Sequence, residues 1–508
     1  MMLVLKRSRV KRHAHHTLRT QVLGGVSVSV IAATVLGGCA VGPDFVRPAA
    51  PLVSQYTREP LPVATVSADS KEQRFISGAE IPADWWRLFR SDSLDAIVQQ
   101  AMANNPTLEA SEASLRQGQA NLQAGYGVFF PQVGAEAEGG RQRVAPLENG
   151  LQTPGTDFNL ITVSGTVSYV LDAFGGKRRA VEGLRSQADY QRYATKAAYL
   201  TLSANVVNAV IARAAYAAQV NATETLIELE TEQLEATEAQ VRAGTAAYAN
   251  VLSVRSLIAA NRALLAPLKQ RISQAEHLLA TLEGVLPSEA ALPDIDLGSL
   301  SLPVNLPVSL PSDLVRKRPD ILSAEAQLHI ASANIGIATA AMFPSISLSG
   351  TYGAGGTSFG NLSADSFRFW SFGPSITVPL FQGGSLWYGR KAAIDAYQQS
   401  LATYRQTVLS AFQQVADCLN ALEHDAQSLQ AQVGAQSDAS AALSLLQANY
   451  RAGMVGYLDV LTADVQFHQT TIAYVQAVAQ RHQDTVALFV ALGGGWWNEQ
   501  AGPHGEGQ

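Results

Sequence analysis

One long stretch of this chain occurs twice. Ala103-Asn104-Asn105-Pro106-Thr107-Leu108 leads into an Ala-rich run ending at Val128-Phe129-Phe130-Pro131. Arg316-Lys317-Arg318-Pro319-Asp320-Ile321 leads into a similar run ending at Ala341-Met342-Phe343-Pro344, with both prolines 213 residues further on. Later, Arg242-Ala243-Gly244 with Tyr248 and Val251-Leu252 returns as Arg451-Ala452-Gly453 with Tyr457 and Val460-Leu461, at an offset of 209 residues. Solenoid units are far shorter. A half-molecule of helix, strands, helix and helix has been duplicated, so the finished object is expected to be quasi-symmetric about an axis. Proteins built round an axis often place a channel on it.

The N-terminus carries an address. Lys6, Arg7, Arg9, Lys11, Arg12 and Arg19 form a basic region, and Val22 to Leu36 is apolar or small throughout. That stretch is short for a membrane span and suits a signal peptide. It ends in Leu36-Gly37-Gly38-Cys39, similar to a bacterial lipobox, with Cys39 as the lipidated first mature residue, carrying N-palmitoyl and S-diacylglycerol. Ala40 rather than Asp follows, which in such lipoproteins implies passage to the outer membrane. Removal of residues 1–38 takes six positive charges and no acids from a chain of net charge −6, leaving −12, and so argues against nucleic acid as a partner. Cys418 is then the one remaining unmodified thiol, so no intrachain disulfide is available.

From Lys177 to Ala243 there is no proline and one glycine, Gly183; from Ser385 to Ala452 there is no proline, and Gly389 and Gly434 are the glycines. Helix formers dominate, with apolar residues at three- and four-residue spacing such as Leu226, Leu229 and Leu234. Each run predicts a helix about 100 Å long, beyond ordinary globular domains. Thr245 to Leu286 predicts a second helix of roughly 60 Å and Ser312 to Ala341 one of about 45 Å, so two shorter helices match one long one. Pro287, Pro293, Pro303, Pro307 and Pro311 make 287–311 a linker.

Four strands lie between the helices. Ile161, Val163, Val167, Tyr169 and Leu171 alternate with Thr162, Ser164, Thr166 and Ser168; Ile346, Leu348 and Tyr352 alternate with Ser345, Ser347, Ser349 and Thr351. Ile376, Val378 and Leu380, and Val133, Ala135 and Ala137, show the same period of two. The strands are expected at about 131–145, 159–172, 345–356 and 370–381, joined by exposed loops at 145–158 and 355–368. One greasy and one wet face suits either a soluble sandwich or a transmembrane barrel. Four strands cannot close a barrel, so a membrane-spanning reading demands an oligomer. Phe129, Phe130, Phe343, Trp370 and Phe372 fit an interfacial girdle or plain core packing.

The lipobox, Val41-Gly42-Pro43-Asp44-Phe45 after it, Trp85-Trp86, the doubled Pro-to-Phe-Pro helices and Leu492-Gly493-Gly494-Gly495-Trp496 together resemble the TolC-like outer-membrane factors. The likeness covers essentially the whole mature chain and points to the lipoprotein (NodT-type) branch serving resistance-nodulation-division pumps. It implies a mostly α fold with a small β part: a homotrimer whose α-helical periplasmic tunnel is topped by a 12-stranded transmembrane β-barrel, four strands per chain. It divides the chain into a signal peptide (1–38), a lipid-anchored segment (39–83), a first repeat (84–286, tip near 244), an equatorial linker (287–311), a second repeat (312–495, tip near 453) and a flexible tail (496–508). The implied place is the outer membrane of a Gram-negative bacterium, with most of the mass in the periplasm and the barrel in outer-membrane lipid. The implied partners are a periplasmic adaptor (membrane fusion protein) and an inner-membrane transporter of that pump class.

By the same resemblance, Asp459 matches the carboxylate that constricts the periplasmic end, while Asp464 and Asp417 match further acidic positions of the gate. Threefold symmetry would turn each into a ring that favours cations when shut. The first repeat has Asn250 where the second has Asp459, which suggests that the second hairpin moves. Arg242, Gly244, Arg451 and Gly453 mark tip turns expected to meet the adaptor; for the glycines, turn geometry alone is the competing explanation.

Catalysis has little support. His277, His329, His424, His468, His482 and His504 show no metal-ligand spacing, and no P-loop is present, so energy would have to come from a partner. Three functions remain open: an efflux duct, a duct for protein secretion, or a non-conducting lipoprotein that braces the envelope. The lipobox and the Leu-Gly-Gly-Gly-Trp ending favour the first over the second, and the water-facing strand pattern argues against the third.

Overall fold

The computed structural model describes residues 40–60, 62–144 and 155–498, so Cys39 and residues 499–508 lie outside it. The chain forms two compact units. One contains Gly118–Ala188 and Gln327–Leu401 with the N-terminal segment up to Val46; the other contains Arg47–Gln117, Asp189–Ala326 and the chain from Ala402 on.

The first unit holds an antiparallel sheet in the order β2-β3-β5-β6. Its strands are β2 (Gln132–Val144), β3 (Thr156–Leu171), β5 (Ser345–Gly356) and β6 (Arg368–Thr377). The register pairs Val133 with Val167, Val163 with Ala354 and Tyr352 with Trp370. All four strands form, yet neither face acquires a core: β2 is exposed along its whole length, and Val163, Val167, Trp370, Phe372 and Ile376 stand free. A sandwich would have buried one face. The strand expected at 370–381 stops at Thr377, because Pro379 has no N–H for the ladder, so Val378 and Leu380 fall outside it. The loop expected at 145–158 is shorter than the sequence suggested, since β3 already begins at Thr156. Residues 145–154 of that loop lie outside the described residues.

A strap of residues 40–46 is locked to this unit. Val41 N–H donates to Phe174 O at 3.0 Å, Asp44 pairs with Arg179 at 2.6 Å, and Phe45 stacks on His329 with centroids 4.1 Å apart. Gly42 (φ +96°) lies so close to Gly336 that a Cβ would come within 2.5 Å of its Cα.

The second unit is helical. Its parts are α1 (Asp92–Asn104), α2 (Pro106–Tyr126), α3 (Gly176–Arg242), α4 (Tyr248–Leu282), α5 (Pro311–Lys317), α6 (Pro319–Ala340), α7 (Ser385–Arg451) and α8 (Tyr457–Ala491), of which α2, α3, α6 and α7 also run into the first unit. The repeat is kept to the residue: α3 and α7 each have 67 residues, and α4 and α8 each have 35. Proline opens α2 and α6, where its missing N–H costs nothing.

The two repeats solve one shared problem, the loose carbonyls where a returning helix ends, with different side chains. In the first, Asn105 Nδ2 donates to Leu282 O at 2.9 Å, while its Oδ1 accepts the N–H groups of Thr107 and Leu108. In the second, Arg318 stands in the place of Asn105 and donates to Ala491 O at 2.7 Å and to Asp320 at 2.8 Å. Gly284 (φ +73°) and Gly493 (φ +96°) then turn the chain away, in the left-handed region that glycine enters without strain.

The proline-rich linker is not structureless. Within it β4 (Asn305–Val308) pairs in parallel with β1 (Arg74–Ser77) of the N-terminal segment. Arg481 of α8, 1% exposed, ties that segment down: Nε donates to Gln73 Oε1 at 3.0 Å and Nη2 to Thr65 Oγ1 at 3.1 Å. Nor does the flexible tail begin at 496. Trp496 Nε1 donates to Lys317 O at 2.9 Å and Asn498 Nδ2 to Ile81 O at 2.7 Å, so the chain is fixed to at least Asn498. Trp85, Phe89 and Phe489 fill the core beside it, each fully buried ring worth roughly 1.5–3 kcal/mol or more.

A Cβ on Gly284 would sit 2.3 Å from Asn104 O, a backbone atom with nowhere to go. Gly284→Ala should therefore destabilise the protein by more than the roughly 1–2 kcal/mol of left-handed strain alone. Thermal denaturation of the purified protein measures this directly. An unchanged midpoint would contradict the tight turn.

Candidate gate and tip turns

Both hairpins turn by the same hydrogen bonds. At the first tip, Gly244 (φ +76°) donates to Val241 O at 3.0 Å and Thr245 N–H reaches Gln240 O at 2.9 Å. At the second, Gly453 (φ +75°) donates to Tyr450 O and Met454 N–H to Asn449 O, both at 2.9 Å. These are Schellman closures, which need a residue at positive φ. A Cβ at either glycine would meet nothing within 4 Å, so the conformation, not crowding, selects glycine here. The Tyr450 hydroxyl donates to Gln240 Oε1 at 2.8 Å and ties the tips together. Arg242, Gly244, Arg451 and Gly453 are all exposed, and so are the apolar side chains of Tyr248, Leu252, Met454 and Leu458.

Asp459 lies in the first turn of α8, exposed, with Oδ2 accepting the Gly456 N–H at 3.0 Å. It thus caps its own helix at the end where a negative charge is favoured. Its counterpart Asn250 makes no such bond, and Ala247 begins α4 without a side-chain cap.

The three acids expected at one gate do not come together. Asp464 is buried and faces Glu230 of α3, not solvent beside Asp459. The five-residue spacing explains it: at about 100° per residue, Asp464 points some 140° away from Asp459 round the helix. Asp417 is exposed on α7, 34 residues before Arg451 and so about 50 Å from the tip. Its side chain meets Gln413 at 3.4 Å. Of the three, Asp459 is the one that is exposed in the turn next to a tip. Cys39 lies outside the described residues, but the strap that follows it brings Ala40 against Gly175 beside the foot of β3.

The sequence reading missed the polar group behind the tips. Around the apolar side chains of Ile227, Val254, Ile258 and Tyr457, the residues Glu230, Asn261 and Asp464 are buried together. Asn261 Nδ2 donates to Glu230 Oε1 at 2.7 Å. Burial, and then the neighbouring Asp464, push the Glu230 carboxyl up to about 8, and burial raises Asp464 as well. A helical wheel of α3 places Glu230 with Ile227 and Leu234 on the buried stripe, which is the signal that could have found it. Among the described residues no group of three or more His, Cys, Asp or Glu is arranged to hold a metal ion.

Comparison with known proteins covers this whole architecture. The family described as outer membrane efflux protein matches residues 97–285 and 310–494, one segment in each repeat. The chain is 31% identical over 479 residues to the toluene efflux pump outer membrane protein TtgC of Pseudomonas putida, spanning 93% of this chain and 96% of that one. It is 28% identical over 468 residues to the cation efflux system protein CusC of Escherichia coli, spanning 91% and 97%. Among solved structures, the outer-membrane channel OprN superposes with a TM-score of 0.80 at 27% identity, over 90% of this chain and all of that one. With both repeats matched and 90% of the chain superposed, the chain belongs to the outer membrane efflux protein family.

Proposed function

We propose that three copies of this chain form a passive, gated exit duct for small organic molecules, anchored by lipid on Cys39. One observation carries the reading. A four-stranded sheet with apolar side chains exposed and, among the described residues, both edges unpaired continues in sequence into two matched pairs of very long helices. Such a sheet has a use where three copies close a barrel in lipid. The duct supplies no energy; that comes from an inner-membrane transporter of the resistance-nodulation-division class, reached through a periplasmic adaptor at the tip turns. The named cargoes of the relatives, toluene for TtgC and a cation for CusC, differ so much that selection by the duct itself is unnecessary.

Asp459 is the gate carboxylate in this reading, one per protomer round the axis. Asp459→Asn keeps an oxygen for the Gly456 N–H while removing the charge, which Asp459→Ala does not. Planar-bilayer recordings of the mature trimer should show a small, cation-preferring current. In Asp459→Asn the preference should fall on the order of twofold or more, as expected when a charged ring is neutralised. No current from demonstrably inserted trimers would sink the duct; an open wild type indifferent to the substitution would sink the gate assignment.

The tips can be tested apart from their geometry. Asn tolerates the left-handed region, so Gly453→Asn keeps the turn at a cost of about 1 kcal/mol or less while adding a side chain where the adaptor docks. Trimer formation and bilayer current should persist, and the drug tolerance of cells relying on this channel should drop severalfold. Full tolerance with Gly453→Asn, and equally with Met454→Glu, would remove the second tip from the docking surface.

A further inference from the structure

Carboxyl groups are poor neighbours inside an apolar core, yet the second unit buries two of them face to face. Glu230 is 4% exposed, Asp464 9% and Asn261 6%. Asn261 satisfies Glu230 Oε1, whereas Oε2 is buried without a hydrogen-bond donor. The Asp464 carboxyl is the acidic neighbour of Glu230 and lines the same cavity. Two ionised carboxylates buried side by side repel each other and forgo hydration, so such a pair favours keeping one proton, which an O–H···O bond between them can hold. The surroundings offer no alternative. Among the described residues neither carboxyl has a cation within salt-bridge range, and α4 contributes the uncharged Asn261. One turn further along α8 is His468, whose pKa burial lowers. Beside the pair itself stand Tyr457 of α8, Tyr450 and Arg451 at the end of α7, and Glu232 of α3. They line with it a cavity of about 300 Å³, into which water can follow when the pair parts.

We propose that Glu230 and Asp464 form a one-proton clasp that holds α8, the gate-bearing helix of the second hairpin, against the first hairpin, and that loss of the proton releases it. The device rests on the gated-duct reading above and adds to it a proton site inside each protomer. The proton comes from and returns to periplasmic water; no other bond is made or broken.

The direction with pH follows from linkage. Clasped, the pair binds a proton that two separated, hydrated carboxyls lose at about pH 4. Burial, then Asp464, raise Glu230 to about 8 in the clasped state. The clasp is therefore fully made below the ordinary carboxylate range and weakens as pH rises through that window. Above about pH 8 it weakens no further. Within the window each pH unit favours release by up to about tenfold per protomer.

The test compares the mature wild-type trimer with E230Q/D464N in planar bilayers from about pH 5 to about pH 9, a range spanning ordinary and raised carboxyl values. Two amides can hydrogen-bond each other as the protonated pair does and have no proton to lose. Opening of the wild type should rise with pH, and the double variant should stay at the acid-side level throughout. Asp425, which burial and then Asp484 raise to about 7, titrates in the same range, so the variant and not the wild-type curve alone is decisive. A pH response retained in E230Q/D464N overturns the clasp. So does a wild type that is flat with pH while Asp459→Asn still alters selectivity, an outcome that leaves the duct standing. If no protein conducts, the duct reading fails, and infrared spectroscopy decides the clasp by itself. A protonated-carboxyl band that titrates near pH 8 in the wild type and is missing from E230Q/D464N supports it; no such band overturns it.

Discussion

Unpaired backbone at the two edges of the sheet governs the rest of the molecule. Among the described residues, the outer edges of β2 and β6 each present a row of N–H and C=O groups with no strand partner. In hydrocarbon each orphaned group costs several kcal/mol, and no side chain near the edges could offset such a row. Joining β2 of one copy to β6 of the next removes every edge after three copies, which gives the twelve-stranded barrel of the TolC-like channels. Closure with further copies is thus a condition of this sheet existing in a membrane. The threefold axis that follows means that any residue facing the channel acts as a ring.

The duplicated halves show how a fold can be held while its chemistry drifts. Equal helix lengths and matching tip turns are kept, because a mismatch in one long helix would displace everything beyond it. The end of the returning helix needs only a donor for its carbonyl, and an amide at Asn105 serves as well as a guanidinium at Arg318. Where geometry is the requirement the residues agree; where one hydrogen bond is the requirement they differ.

The same distinction decides what was legible in the sequence. Prolines at 106 and 319, glycines at 244 and 453 and the alternating strands each report a local backbone demand, so pattern alone found them. The pairing of Arg74–Ser77 with Asn305–Val308 could not be found that way, being four residues long, partly proline and joined across more than two hundred residues. Arg481 looked like one more charge on a helix, since its partners Gln73 and Thr65 are some four hundred residues away. For Asp464 and Asp417 the information was present. Five residues on a helix turn a side chain to another face, and 34 residues carry it about 50 Å along, but matching acidic positions by type ignores both.

The buried acid pair marks where the two halves part company. Its counterpart by the repeat would join α7 to α4, and the residues there are Ala439 in the place of Glu230 and Arg255 in the place of Asp464. Ala439 packs as a small apolar side chain, and Arg255 turns out to Glu238 at 2.7 Å. Thr470 replaces Asn261 and spends its hydroxyl on its own helix, donating to Gln466 O at 3.1 Å. A purely structural device would have been as useful on one side as on the other. Asp459, which has the uncharged Asn250 as its counterpart in the first hairpin, lies on the same helix as Asp464. The exposed charge and the buried proton are thus both on α8, five residues apart and on different faces. One face is exposed and the other meets the neighbouring hairpin, so in the proposed duct α8 is the element through which a protonation change inside the protomer would reach the opening.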